Sequence, residues 1–158
     1  MRKLRLYLDT SVISHLFADD TPEKMRHTDR LWNELIAGKY DVYISPVVLA
    51  EIKRCTEPKQ SQMFEKLDQI TFQVLAETKE VKDLAYEYLK NGVLSEKSRD
   101  DCEHIAFSVV SNCDAIVSWN FKHLVNFKTI DKVRIINTIQ CYKEIGIISP
   151  TMLIEEVD

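Results

Sequence analysis

The sequence predicts an α/β domain in which a mainly parallel sheet is covered by helices on both faces. Three observations point there. Short apolar runs alternate with stretches of helical periodicity along the whole chain. Strand-like runs pass directly into helices at Asp9, at Ser45-Pro46 and after Ser118, as expected of strand-crossover-strand units. The chain has 158 residues, 45% of them apolar, and no repeat, low-complexity tract or linker, so it reads as one domain over residues 1–158 with a sizeable core. Right-handed crossovers then gather the carboxyl ends of the strands on one edge, where ligands and catalytic groups collect.

Taken in order, Leu4 to Leu8 reads as a strand that ends at Asp9-Thr10-Ser11, and Val12 to Phe17 as a helix. The polar stretch Ala18 to Glu23 reads as a loop, because Pro22 interrupts or restarts a helix there. A helix is expected from Thr28 to Ala37, with Leu31, Trp32, Leu35 and Ile36 on one face and Gly38 as its stop. Val42 to Ile44 is a short strand. Ser45 offers a capping hydroxyl before a proline suited to the first helical position, so a helix should run from Val47 to about Cys55. Pro58 separates it from a helix over Ser61 to Leu67, and Ile70 to Leu75 is β-rich. Lys79 to Lys90 is amphipathic on Val81, Leu84, Ala85, Tyr88 and Leu89, and Asn91-Gly92 closes it. Ser98 or Ser95 caps a helix from Arg99 to about Ser111; Asp114 to Ser118 is the next strand. A last helix is expected from Ile130 to Glu144, stopped by Gly146, with Ile147-Ile148 as a short strand.

Composition excludes some classes. A formal net charge of −4 supplies no global basic field, so a nucleic-acid partner would need a local basic surface or metal ions. Cys55, Cys102, Cys113 and Cys141 form no C-x-x-C pair, and Cys55, Cys102 and Cys141 fall in helical patterns where a thiol packs as a small apolar group. The start of the chain has no signal-type apolar region, and no run approaches the ~18 apolar residues that cross a bilayer. A cytoplasmic, reduced protein without a membrane partner is expected.

The acidic residues carry the chemistry. Asp9 stands where a strand becomes a helix. Glu51 lies on the apolar face of its helix between Val47, Val48, Ile52 and Cys55. An unpaired charge there costs several kcal/mol, so the carboxylate must be neutralised, hydrogen-bonded or bound to a cation. The helix from Arg99 carries Asp100, Asp101 and Glu103 near its N-terminus, where acids often serve only as caps. Its inward stripe of Cys102, Ile105, Ala106 and Val109 leaves Asp101 and Glu103 on opposite flanks, and the wheel does not choose between them. Ser118 and Asn120 follow the fourth strand; an amide oxygen ligates a hard cation but brings no charge. Oxygen groups converging on strand ends without a His or Cys cluster are the ligand chemistry of Mg2+ or Mn2+. Such sites hydrolyse phosphodiesters.

Four segments resemble a known family: Leu-Asp-Thr-Ser at 8–11, Ser-Pro-Val-Val-Leu-Ala-Glu-Ile at 45–52, Asp-Cys-Glu-His-Ile-Ala at 101–106 and Ala-Ile-Val-Ser-Trp-Asn-Phe-Lys-His at 115–123. In this order and spacing they are similar to the PIN domain family, most of all its VapC-like toxin branch. The resemblance implies a three-layer α/β/α sandwich around a parallel sheet and a Mg2+- or Mn2+-dependent endoribonuclease. It places the family acids on Asp9, Glu51 and Asp101, and so chooses Asp101 over Glu103. The fourth family acid falls on Asn120, with Ser118 for the family's hydroxyl residue; one charge fewer favours a one-metal site or a second metal completed by substrate phosphate. In this reading Asp9 and Asp101 hold the principal metal, Glu51 holds the attacking water or shares the metal, and Thr10, Ser118 and Lys122 support the site or the substrate.

His104 points away from the apolar stripe and reads as a structural or surface hydrogen-bonding group. Lys53, Arg54, Lys122, His123 and Lys128 are candidates for a local basic rim. The resemblance also implies an antitoxin protein partner and a homodimer, with Leu16, Phe17 and Trp32 either exposed for these contacts or packed in the core. A phosphoaspartate domain is a poor alternative, because Ser11 occupies the position where such phosphatases carry a second Asp. A PIN-fold interaction module with weak or no catalysis is the other, and Asn120 is the residue that supports it.

Overall fold

The computed structural model describes residues 2–154. Five strands form one parallel sheet: β1 (Arg5–Leu8), β2 (Asp41–Ile44), β3 (Gln73–Val74), β4 (Ala115–Val117) and β5 (Gly146–Ile148), in the order β3-β2-β1-β4-β5. β1 is central. Leu6 pairs with Val42 on one side and Ala115 on the other, and Leu6, Tyr7 and Leu8 are fully buried. Parallel strands need crossovers, and seven helices supply them: α1 (Thr10–Ser14), α2 (Pro22–Ile36), α3 (Pro46–Lys53), α4 (Lys59–Leu67), α5 (Lys79–Lys90), α6 (Arg99–Val110) and α7 (Phe127–Ile139). α1, α3 and α4 pack together, as do α5, α6 and α7 through α5. The result is the expected three-layer α/β/α sandwich. Because the chain leaves β1 for β2 on one side and returns to β4 on the other, the strand order reverses between β1 and β4, and a crevice opens at their carboxyl ends.

Several boundaries differ from the sequence expectation. α2 begins at Pro22, not Thr28, since proline at the first helical turn loses no hydrogen bond; Ala18 to Thr21 alone remain as connector. β3 is only two residues long, an edge strand paired to β2 through Tyr43 and Ile44. α7 starts at Phe127, where Asn126 Oδ1 accepts from Thr129 N, and ends at Ile139. Cys141 follows at φ 63° and is exposed, so it is not the packed helical thiol expected. Gly146 is no helix stop: it opens β5 opposite Ala115, and a Cβ there would lie 3.4 Å from that of Ala115. Leu16 and Trp32 belong to the core, with Phe17 partly buried against it.

Candidate functional site

Asp9 caps α1 at the carboxyl end of β1 and is almost fully buried. Its Oδ1 accepts from Ser11 N at 3.0 Å and from Ser11 Oγ at 2.5 Å, and its Oδ2 accepts from Ser118 Oγ at 2.5 Å. Each serine in turn accepts a backbone N–H from the turn after β4: Trp119 N reaches Ser11 Oγ and Asn120 N reaches Ser118 Oγ, both at 2.9 Å. Asp9 is thus tied by neutral donors to both strands that flank the crevice. Asp9 N itself extends the β1–β4 ladder by donating to Val117 O.

Glu51 faces Asp9 from α3, a helix that Ser45 starts by accepting from Val47 N at 3.2 Å. The apolar setting read from the sequence is resolved by hydrogen bonds to one oxygen. Glu51 Oε1 accepts from Thr10 Oγ1 at 2.9 Å and lies 2.5 Å from His104 Nε2. Behind it, His104 Nδ1 is 2.6 Å from the Tyr7 hydroxyl, which is 2.7 Å from Ser45 Oγ. His104 is 1% exposed, not a surface group, because α6 is buried almost all round from Cys102 to Val109. No apolar stripe defines its inward side.

Asp101 sits in the first turn of α6, and among the described residues nothing donates a hydrogen bond to its carboxylate. It faces the charges of Asp9, Glu51, His104 and His123. Glu103, the other flank, lines a groove of about 350 Å3 with Glu77, Lys82, Tyr86 and Arg99. Asp100 pairs with Arg54 at 3.0 Å, and the Arg54 side chain stays exposed. Asn120 Oδ1 accepts from His123 N at 2.9 Å, so the amide oxygen closes its own turn. Lys122 is exposed in the same turn, and its carbonyl accepts from Asn126 Nδ2. Asp9, Thr10, Glu51 and Ser118 therefore fall into hydrogen-bonded clusters at one edge, with Asp101 beside them; Asn120 and Lys122 stand in the adjoining turn. Sequence reasoning missed Ser11, Tyr7 and the depth of His104. A serine two residues after a capping aspartate was the available signal for the first.

Electrostatics follow from this burial. Desolvation raises the Asp9 carboxyl, and His104, Ser11 and Ser118 only partly counter it. Asp101 is pushed up to about 6 by burial and by the negative charges of Asp9 and Glu51, against the opposing pull of the histidines. Glu51 goes the other way. Burial raises it, but the hydrogen bond and charge of His104, with Thr10, prevail and lower it. His104 is disfavoured as a cation by burial, yet Glu51, Asp9 and Asp101 hold its pKa above the ordinary value.

Among the described residues no three His, Cys, Asp or Glu side chains close on one point tightly enough to hold an ion as they stand. The donor chemistry nonetheless fits a hard cation: three carboxylates, no thiolate, and a half-buried Asp101 whose charge lacks compensation by any hydrogen bond.

A family model described as PIN domain matches residues 5–122 of the chain. No curated protein matches by sequence. Among solved structures, VapBC2 from Rickettsia felis bound to a DNA fragment from its promoter contains a chain 15% identical, with a TM-score of 0.55 over 92% of this chain and 98% of that one. VapBC-1 from nontypeable Haemophilus influenzae contains another, 11% identical, with a TM-score of 0.57 over 94% of this chain and 99% of that one. At these identities the likeness is one of fold.

Proposed function

The chain belongs to the PIN domain family, and from that premise we propose that it is a single-domain, Mg2+- or Mn2+-dependent endoribonuclease, the toxin of a toxin–antitoxin pair in the cytoplasm. The single observation that carries the reading is the set of Asp9, Glu51 and Asp101 at the carboxyl edge of a parallel sheet, with the Asp101 carboxyl pushed up to about 6 by burial and by the charges of Asp9 and Glu51. Like charges gathered in a half-buried place stay ionised most readily around a cation. Asp9 and Asp101 would hold the ion, with Glu51 sharing it. The bound ion supplies a water of lowered pKa and neutralises charge growing on the phosphoryl oxygens.

The remaining work falls to the chain. Ser11 and Ser118 fix the Asp9 carboxylate, so its orientation is set before substrate arrives. Glu51 Oε2, the oxygen without a protein donor among the described residues, accepts a hydrogen bond from the attacking water. Lys24 Nζ lies 5.0 Å above the Phe121 ring and 5.6 Å above that of Trp119, beside the turn that carries Lys122. Cations next to a half-exposed aromatic ring suit a phosphate backbone and a stacked base. The likeness to chains of VapBC complexes supports an antitoxin partner, and a homodimer is proposed beside it.

The test is cleavage of a panel of tRNAs and rRNA by purified protein with Mn2+, beside an Asp9→Asn control. Metal-dependent cuts that vanish in the control support the proposal; equal cutting by both proteins overturns it. The second reading, an interaction module with weak or no catalysis, is favoured by Asn120, whose amide oxygen is occupied within its own turn. It predicts no cleavage and no heat of Mn2+ binding.

A further inference from the structure

His104 stands behind the site, with no route to solvent, and yet both its ring nitrogens are engaged. A chain of side chains runs Ser45 Oγ, Tyr7 Oη, His104 Nδ1, His104 Nε2, Glu51 Oε1, with steps of 2.7, 2.6 and 2.5 Å outside the ring. It joins α3, β1 and α6. Ser45 is itself pinned, because its Oγ accepts from Val47 N. Tyr7 is locked in the central strand and fully buried. The imidazole therefore cannot turn without breaking its bonds to the buried Tyr7 hydroxyl and the part-buried Glu51 carboxylate, which would leave its own buried nitrogens and the Tyr7 hydroxyl short of a partner.

Both protein donors to Glu51, Thr10 Oγ1 and His104 Nε2, arrive at the same oxygen. Oε1 is saturated from α1 and α6; Oε2 receives no donor from the described residues. An aliphatic core would serve a merely structural centre of α6 better than a histidine in contact with a carboxylate, since burying an ion pair seldom adds net stability.

We infer that His104, held by Tyr7 and Ser45, is a positioning residue that clamps Oε1 of Glu51, so that Glu51 acts through Oε2 alone and never as a two-oxygen chelate. The inference rests on the reading of Glu51 as a site residue proposed above. It makes Glu51 a one-oxygen partner that leaves coordination room for water, while Asp101, without a hydrogen-bond donor among the described residues, keeps both oxygens available.

The test compares two substitutions in the full chain. A glutamine amide nitrogen reaches the place of the imidazole Nε2 and keeps a donor on Glu51, whereas leucine fills the volume without one. Crystal structures of metal-free wild type, His104→Gln and His104→Leu should show Glu51 in its native rotamer in the first two and displaced in the third. Mn2+ titration should then give an affinity within about twofold of wild type for His104→Gln and weaker by roughly 10-fold or more for His104→Leu, the range expected when a partner behind a ligand is lost. If His104→Leu does not fold, Tyr7→Phe, which removes only the far hydroxyl, takes its place: it should loosen the imidazole and weaken Mn2+ binding by a smaller factor. An unmoved Glu51 with unchanged Mn2+ affinity in a folded His104→Leu or, failing that, Tyr7→Phe protein overturns the inference. Absence of Mn2+ binding by wild type overturns the underlying metal-site reading instead, while the Glu51 rotamer still decides whether His104 is the clamp.

Discussion

Asp9 and Asp114 occupy opposite edges of one strand pair, and they are treated in opposite ways. Asp114 precedes β4 at the amino edge, where the Arg2 guanidinium meets both its oxygens at 2.9 and 3.0 Å, Arg5 N donates at 2.8 Å and Lys143 approaches to 3.4 Å. The hydrogen bond and charge of Arg2 hold that carboxyl well below its ordinary range. Asp9 follows β1 at the carboxyl edge, meets serine hydroxyls and one N–H instead of a basic side chain, and has its pKa raised by burial. Asp101 beside it is pushed up to about 6. An acid kept for stability is given cations of its own; the acids at the other edge are left in want of one.

This contrast can be broken by substitution. The largest effect falls on Asp9→Asn: Mn2+-dependent RNA cleavage should drop by at least about 100-fold, the upper end of what disturbing a partner of a ligand costs, with the fold retained by circular dichroism. Asp101→Asn should separate activity from stability. It should lose cleavage and yet melt higher at pH 7 without metal, by about 1–2 kcal/mol after allowance for partial solvent screening, or a few degrees in Tm.

The pH dependence has the same origin. Asp101 is an acid whose folded pKa is raised, so the native state binds more protons than the unfolded one between about 4 and 6. Its contribution to stability therefore falls as pH rises through that window. Denaturant midpoints in wild type should show this decline, and Asp101→Asn should flatten it. Asp114 is the opposite case: its contribution is present above the unfolded pKa near 4 and is lost only as pH falls through its depressed folded value. Asp114→Asn should cost about 1 kcal/mol at pH 7 in thermal melts and leave cleavage unchanged. The smallest effect belongs to Lys24→Gln, which should raise KM for RNA a few-fold through loss of a cation worth about 1 kcal/mol or less, with kcat held.

The same contrast explains what could be read in the sequence. The alternation of strands and helices, and the caps at Asp9 and Ser45, make the sheet and its functional edge legible, because the covalent pattern and the fold report the same burial. Glu51 was legible as a carboxylate on an apolar face. The flank chosen on α6 was not, because it depends on which side the sheet lies, and periodicity carries no such sign; only the family resemblance favoured Asp101. The depth of His104, read as a structural or surface hydrogen-bonding group, was hidden for a related reason: a stripe implies a polar side, and the middle of α6 has almost none. The start of α2 was hidden because its first turn, Pro22 to Met25, has no buried residue and the buried side begins at Thr28. Gly146 read as a stop because glycine usually ends helices, whereas here it gives room to Ala115 across the β4–β5 pair.

The most direct test is calorimetric titration of Mn2+ into metal-free wild type, Asp9→Asn and Asp114→Asn at pH 7. The account predicts saturable binding by wild type and Asp114→Asn with matching affinity, and no saturable binding by Asp9→Asn. Equal binding by wild type and Asp9→Asn would contradict it.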